Sequence, residues 1–264
     1  MRHDGQNPFP VDQVFSRQQL REQTAIPDDV VGFWIKEELL IPLPAAPREH
    51  RRFSYEQLNV AVILNAMRSL GANIGVLRAF AQGLQHGIRI MRQRNIAYND
   101  VIDIEDLHKL LFRRTKDVEI PVFDQHGKFI EYNLTYYEDE IIDYWRKFNQ
   151  IAHDERKDFL IKIAKSLNVY DMRWLYICSD LFNPNILDFE RSDESFWLAW
   201  LNEDGEADIE PTYEGSSVTR YPDSAAFYVP FVKLIRGLWP DRIVELEEPK
   251  PDAVLCDAKV GDVS

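Results

Sequence analysis

From Phe15 to Phe80 the apolar positions recur at helical spacing, broken by short polar or proline-rich stretches. Ser16 suits the N-cap of a short helix through Glu22, with Leu20 facing inward. Thr24 to Pro27 forms a turn. Pro27 and Asp28 then open a second helix, Asp28 to Glu38, because proline fixes the entry angle and aspartate complements the helix dipole. Val30, Val31, Trp34 and Ile35 make its apolar face, which leaves Asp29, Gly32, Phe33 and Lys36 pointing outward. Leu39, Leu40 and Ile41 pack back on this helix. Pro42, Pro44 and Pro47 stiffen a loop that ends in Arg48-Glu49-His50-Arg51-Arg52-Phe53. Ser54 caps a third helix, with Gln57 placed to complete a capping box. Its buried stripe is Leu58, Val62, Ile63, Ala66, Met67 and Leu70; Gly71 stops it, and a shorter helix carries Ile74, Leu77, Arg78 and Phe80.

Residues 83–114 continue helical with interruptions, and a further amphipathic helix from Asp103 carries Ile104, Leu107, Leu110 and Leu111. The period then changes to two. Val118 to Phe123 and Phe129 to Leu134, joined at Asp124 to Gly127, predict a β-hairpin. A helical region from Glu138 to about Leu167 follows, broken near His153-Asp154. Trp174 to Cys178 fits a buried strand or a helix equally. Phe196 to Leu201 and Ala207 to Ile209 predict a second hairpin around Asp204-Gly205; Ser217 to Tyr221 and Ala225 to Val229 are further strands. Pro230 starts a last helix through Leu238-Trp239. The fold class is α+β: a mostly helical N-terminal domain at 15–94 behind a flexible arm at 1–14, then a helical linker at 95–117. A mixed α+β domain at 118–245 and a disordered tail at 246–264 complete the layout.

Charge divides the chain the same way. The net charge is −13, but residues 1–94 carry 12 Lys and Arg against 9 Asp and Glu. Residues 95–264 carry 19 against 35. A mildly positive first part can hold phosphates, while an acidic remainder opposes non-specific adhesion to polyanions. With 45% hydrophobic residues the chain can bury a substantial core. No apolar run approaches the ~18 residues of a membrane helix, and the N-terminus lacks a secretory apolar segment. Two cysteines, Cys178 and Cys256, stand far apart, which argues against a disulfide framework or a zinc site and for the cytoplasm.

The stretch from Phe15 to Phe80 resembles the DNA-binding domain of the MerR family of transcriptional regulators. The resemblance rests on Phe15-Ser16 and Leu20, on Trp34 with Leu39-Leu40 and Pro42, and on Arg51-Arg52-Phe53-Ser54. Leu58, Leu70-Gly71, Ile74 and Leu77 complete it. About a quarter of the chain is covered. Two positions depart from the family pattern: Gly32 stands where an arginine is usual, and Glu38 where a glycine usually ends the helix. The resemblance implies a winged helix-turn-helix whose second helix enters the major groove. It also implies a homodimer on double-stranded DNA, paired through a long helix after the DNA-binding domain. Ile104 to Phe112 and the stripe Ile141, Trp145, Phe148, Ala152 are the two candidates for that helix.

The candidate DNA contacts are Arg17, Asp28, Asp29, Phe33 and Lys36 on the helices, with Arg48, His50, Arg51 and Arg52 on the wing. Arginine grips phosphate oxygens bidentately, and a proline-stiffened loop loses less entropy on docking. There is no HExxH, GxSxG, P-loop or GxGxxG, so catalysis, a metal and a cofactor are not expected. His153-Asp154 places its side chains on different helix faces and makes a poor dyad. The second part is rich in aromatics interleaved with carboxylates: Tyr136, Tyr137, Trp145, Trp174, Tyr176, Phe196, Trp197, Trp200, Tyr221, Phe227 and Tyr228. Such a set either fills a core or holds a cationic small-molecule effector. The function expected is sequence-specific transcriptional regulation, with the second domain serving dimerisation, a ligand or a protein partner. The alternatives are a protein-interaction module on a winged helix that has lost DNA, and a DNA-architectural or recombination accessory factor.

Overall fold

Ser16 decides where the first helix begins. Its hydroxyl accepts from the Gln19 amide while the Gln19 side chain accepts from the Ser16 amide, a reciprocal capping box. The computed structural model describes residues 9–44, 50–112, 120–123, 129–133, 155–183, 186–187, 195–212 and 225–242. Helix α1 spans Arg17–Thr24 and α2 spans Asp28–Lys36. A two-residue strand β1, Phe15–Ser16, pairs antiparallel with β2, Arg52–Phe53, in the register Phe15↔Phe53 and Ser16↔Arg52. Helices α3 (Tyr55–Ser69), α4 (Ile74–Arg94) and α5 (Tyr98–Phe112) follow. Next come the hairpin β3 (Ile120–Phe123) and β4 (Phe129–Asn133), then α6 (Glu155–Ser166) and α7 (Val169–Phe182). A three-stranded antiparallel sheet of order β6-β5-β7 uses Phe196–Leu201 as β5, Ala207–Thr212 as β6 and Phe227–Val229 as β7. Helix α8, Phe231–Leu238, starts behind Pro230. The fold is mixed α+β, with helices concentrated toward the N-terminus and small antiparallel sheets. Among the described residues, no helix is long and apolar enough to cross a membrane.

Three helices end alike, and one of them is unusual. After α3, the Ala72 amide reaches the Met67 carbonyl at 3.0 Å with Gly71 at φ +95°. After α4, the Ile96 amide reaches the Met91 carbonyl at 2.9 Å with Asn95 at φ +51°. After α2, the Leu39 amide reaches the Trp34 carbonyl at 2.8 Å with Glu38 at φ +59°. All three are Schellman stops, whose left-handed residue is normally glycine or asparagine. Glu38 therefore holds a conformation that a side chain disfavours by about 1 kcal/mol. Glu38→Gly should raise stability by roughly that amount, measured by urea denaturation; an unchanged midpoint would show that the turn carries no strain.

The largest helix–helix contact is between α4 and α7. Gly83 and Gly87 lie one turn apart on α4. A Cβ added at Gly83 would fall closer than 3.0 Å to the Trp174 ring, and one at Gly87 would come equally close to the Trp174 carbonyl. The helix expected to be short runs on past Phe80: α4 is unbroken for 21 residues, its glycines make room for α7, and the interruption expected within 83–114 falls between α4 and α5. Trp174 to Cys178, consistent with strand or helix in sequence, are helical. Their neighbours on α7 are buried on nearly every side.

One apolar cluster runs from Phe9 to Trp239. It is crossed by a polar seam. Asn59, fully buried, accepts from Trp239 Nε1 at 2.8 Å and donates to the Leu181 carbonyl at 2.8 Å. Arg236 Nε donates to the Ile186 carbonyl at 2.7 Å. Gln57 departs from its expected role. Ser54 makes no side-chain cap, and Gln57 turns inward, accepting from the Ile41 amide and pairing with Gln85, which donates to the Leu39 carbonyl. Leu70, expected in the buried stripe of α3, is 57% exposed because the helix ends one residue earlier. Ile104 and Leu107 of α5 are buried within this core rather than free for a partner. His108 donates to the Leu167 carbonyl, and burial lowers its pKa below the ordinary 6.5.

Several expectations lie outside the described residues: the first eight residues of the arm expected at 1–14 (Phe9, within it, is buried and stacks on Tyr55), the turn Asp124 to Gly127, the stripe Ile141 to Ala152 and His153-Asp154. The strand Ser217 to Tyr221 and the tail from Glu247 do too.

Candidate nucleic-acid interface

Asp28 opens α2 and is claimed at once by α1. Arg17 Nη2 donates to the Asp28 backbone carbonyl at 2.6 Å and to its carboxylate at 3.0 Å. Arg21 approaches the second carboxylate oxygen at 3.5 Å. The Arg17 guanidinium crosses Gly32 so closely that a Cβ there would stand 2.8 Å from Nη2. Gly32 is thus the seat of Arg17. Two expected contact residues, Arg17 and Asp28, are brought together as partners of each other, and Arg21, which the sequence pattern does not single out, joins them.

Asp29, Phe33 and Lys36 follow at i, i+4 and i+7 and are exposed, so they share one stripe of α2. Phe33 is 44% exposed, which is high for a phenylalanine outside an interface. Beside it a cavity of about 350 Å³ opens between α2 and the turn from α3 to α4, lined by Trp34, Arg68, Ile74 and Leu77.

The loop after α2 returns as β2. Arg52 pairs through its backbone with Ser16, and its carbonyl accepts from the Leu43 amide at 2.8 Å. Those bonds hold the strand while the side chains of Arg51 and Arg52 stay exposed, as does His50. Neither arginine has an ion pair among the described residues. Arg48 lies outside the described residues. The β1–β2 pairing therefore holds the Arg52 backbone just ahead of α1, with the Arg51 and Arg52 side chains exposed. By contrast, Arg92 pairs with the buried Glu56 at 2.6 Å and Arg94 bonds Ser166. Those basic residues serve packing.

The aromatic set is mostly filling where it is described. Trp174, Trp197 and Trp200 are buried; Trp197 stacks on Phe231 at 4.7 Å and donates to Asp180 at 3.0 Å. That carboxylate and ring are hydrogen-bond partners of each other. Tyr136, Tyr137, Trp145 and Tyr221 lie outside the described residues. Cys178 is fully buried, donates to the Leu84 carbonyl, and has its thiol pKa pushed up by desolvation, so it is no nucleophile.

Comparison of the chain with protein-family models, with characterised proteins and with solved structures finds no match.

Proposed function

We propose that the chain is a MerR-like, sequence-specific DNA-binding regulator that acts as a homodimer. In this reading residues 15–94 form a winged helix-turn-helix, α2 enters the major groove, and the 42–53 loop is the wing. The observation that carries the reading is the exposed Arg51-Arg52 pair, without ion-pair partners among the described residues, at the start of β2, which pairs with β1 just ahead of α1, together with a solvent-facing α2 stripe. Phosphate contacts by the wing would set register, and base-edge contacts by Asp29, Phe33 and Lys36 would choose sequence. The remaining α+β part would serve dimerisation, an effector or a protein partner.

Arg51→Ala with Arg52→Ala should weaken binding to every duplex about equally. It should also flatten the plot of log affinity against log salt by about 2, one for each lost phosphate contact. Fluorescence anisotropy across a salt series measures both. A slope equal to that of the parent protein would remove the wing from the interface.

A second reading is favoured by the acidic start of α2 and by the apolar cavity beside Phe33. On that reading α2 meets a protein partner instead of DNA, as exposed apolar surface ringed by charge often does. Retention on heparin or on random duplex at low salt separates the two, because the protein-docking surface should not be retained.

A further inference from the structure

The strain at Glu38 invites the question of what its carboxylate does. Gly71 and Asn95 fill the same position in the other two stops with residues suited to it. Strained residues cluster at functional sites, and although Ala25 after α1 holds a similar φ of +54° with only a methyl group, Glu38 carries a charge there. Glu38 lines a cavity of about 310 Å³, between the end of α2, one stripe of α4 and the first turn of α7. That volume suits one small organic molecule.

The charges lining the cavity are unevenly satisfied. Glu37 is paired with Arg78. Behind the lining residue His86, Asp171 is committed twice, to the Asn168 amide in the α7 capping box and to His86 Nε2 at 2.6 Å. Arg89 Nη2 lies 3.0 Å from His86 Nδ1. A guanidinium only donates, so Nδ1 is the accepting nitrogen and Nε2 carries the proton toward Asp171. Arg89 is therefore aimed by the His86 ring, and it has no carboxylate partner among the described residues. Glu38 likewise has no cationic partner among them. One such cation and one such anion face the same cavity, and the half-exposed ring of Tyr170, 5.3 Å from that of His86, makes an apolar flank.

We propose that this cavity binds a small zwitterion of the α-amino-acid class, with its carboxylate on Arg89 and its ammonium on Glu38. The ligand then bridges α4 to the stop of α2, so occupancy is felt by α2 through Glu37, Glu38 and Leu39. The site uses no nucleic-acid contact and stands whether or not the chain binds DNA.

The test is a thermal-shift screen of the full chain against the standard L-amino acids at millimolar concentration, followed by calorimetric titration. At least one should raise the melting temperature by about 4 °C at tenfold its Kd. The matched amine and the matched carboxylic acid should not. Arg89→Ala and Glu38→Gln change exposed side chains, should melt near the parent temperature without ligand, and should lose the shift. Glu38→Gly should be more stable than the parent and equally blind to the ligand. Exchange protection at the amides of Glu37 to Leu39 should rise on binding. The proposal is overturned if no amino acid shifts the melt, or if the shift survives in both Arg89→Ala and Glu38→Gln. Binding without added protection at Glu37 to Leu39 would overturn its coupling to α2.

Discussion

Gly83→Ala and Gly87→Ala together should lower the melting temperature by roughly 10 °C, although helix propensity alone predicts a rise. Glycine to alanine inside a helix gains about 1 kcal/mol per site. Here the added methyl groups meet α7. At Gly83 the obstacle is the Trp174 ring; at Gly87 it is the Trp174 backbone carbonyl together with the Cys178 sulfur, 2.5 Å from the new Cβ. A carbonyl inside a helix cannot rotate away, so α7 itself must move. Overpacking of this kind costs about 3 kcal/mol per site, leaving a net loss of about 2 kcal/mol each. At 2–4 °C per kcal/mol for a chain of about this size, the pair reaches about 10 °C. Gly237 is the control: it lies in α8 with nothing within 4 Å of an added Cβ, so Gly237→Ala should stabilise by about 0.5–1 kcal/mol. If the α4 pair also stabilises, the close crossing of α4 and α7 is wrong.

That pair of glycines also marks where sequence reasoning stops. Read alone, Gly83 and Gly87 suggest a break in a helix; beside Trp174, they are the socket for another. The decisive residue lies about ninety positions along the chain, and no local rule reaches it. The two Ser-x-x-Gln patterns carry the same lesson. Ser16 with Gln19 forms the capping box that the pattern implies. Ser54 with Gln57 does not, because Gln85 and the Ile41 amide offer Gln57 buried partners. Periodicity is sufficient where one face of an element meets one layer, as in α2 and the β5–β6 hairpin. It fails where an element is buried on several sides, as in α7.

The candidate interface is legible to a similar depth. Exposure of Asp29, Phe33, Lys36, Arg51 and Arg52 follows from helix phase and from an arginine run beside prolines. The capture of Asp28 by Arg17 and Arg21 does not, since it depends on the angle between α1 and α2. Nor does the Glu38 cavity, which gathers residues from α2, α4 and α7 that are individually ordinary.

Trp239→Ala should cost about 3–5 kcal/mol, and its effects should appear at the opposite end of the chain. The indole is 6% exposed, and its ring lies 5.5 Å from that of Phe15. Its N–H is the partner of Asn59 Oδ1, so truncation both opens a cavity and leaves a buried amide oxygen unsatisfied. Trp239→Phe keeps much of the apolar contact but loses the donor, and should cost about 1–3 kcal/mol; the difference between the two variants measures the cavity. Phe15 is the residue of β1 that pairs with Phe53 of β2, so loosening one face of its ring weakens the strand that carries Arg52. Hydrogen exchange should therefore quicken around residues 15–16 and 52–53 along with α8, and heat should unfold the chain in one transition at lower temperature. A variant in which α8 frays while residues 15–53 keep their protection would show that the tryptophan does not brace the β1–β2 pair.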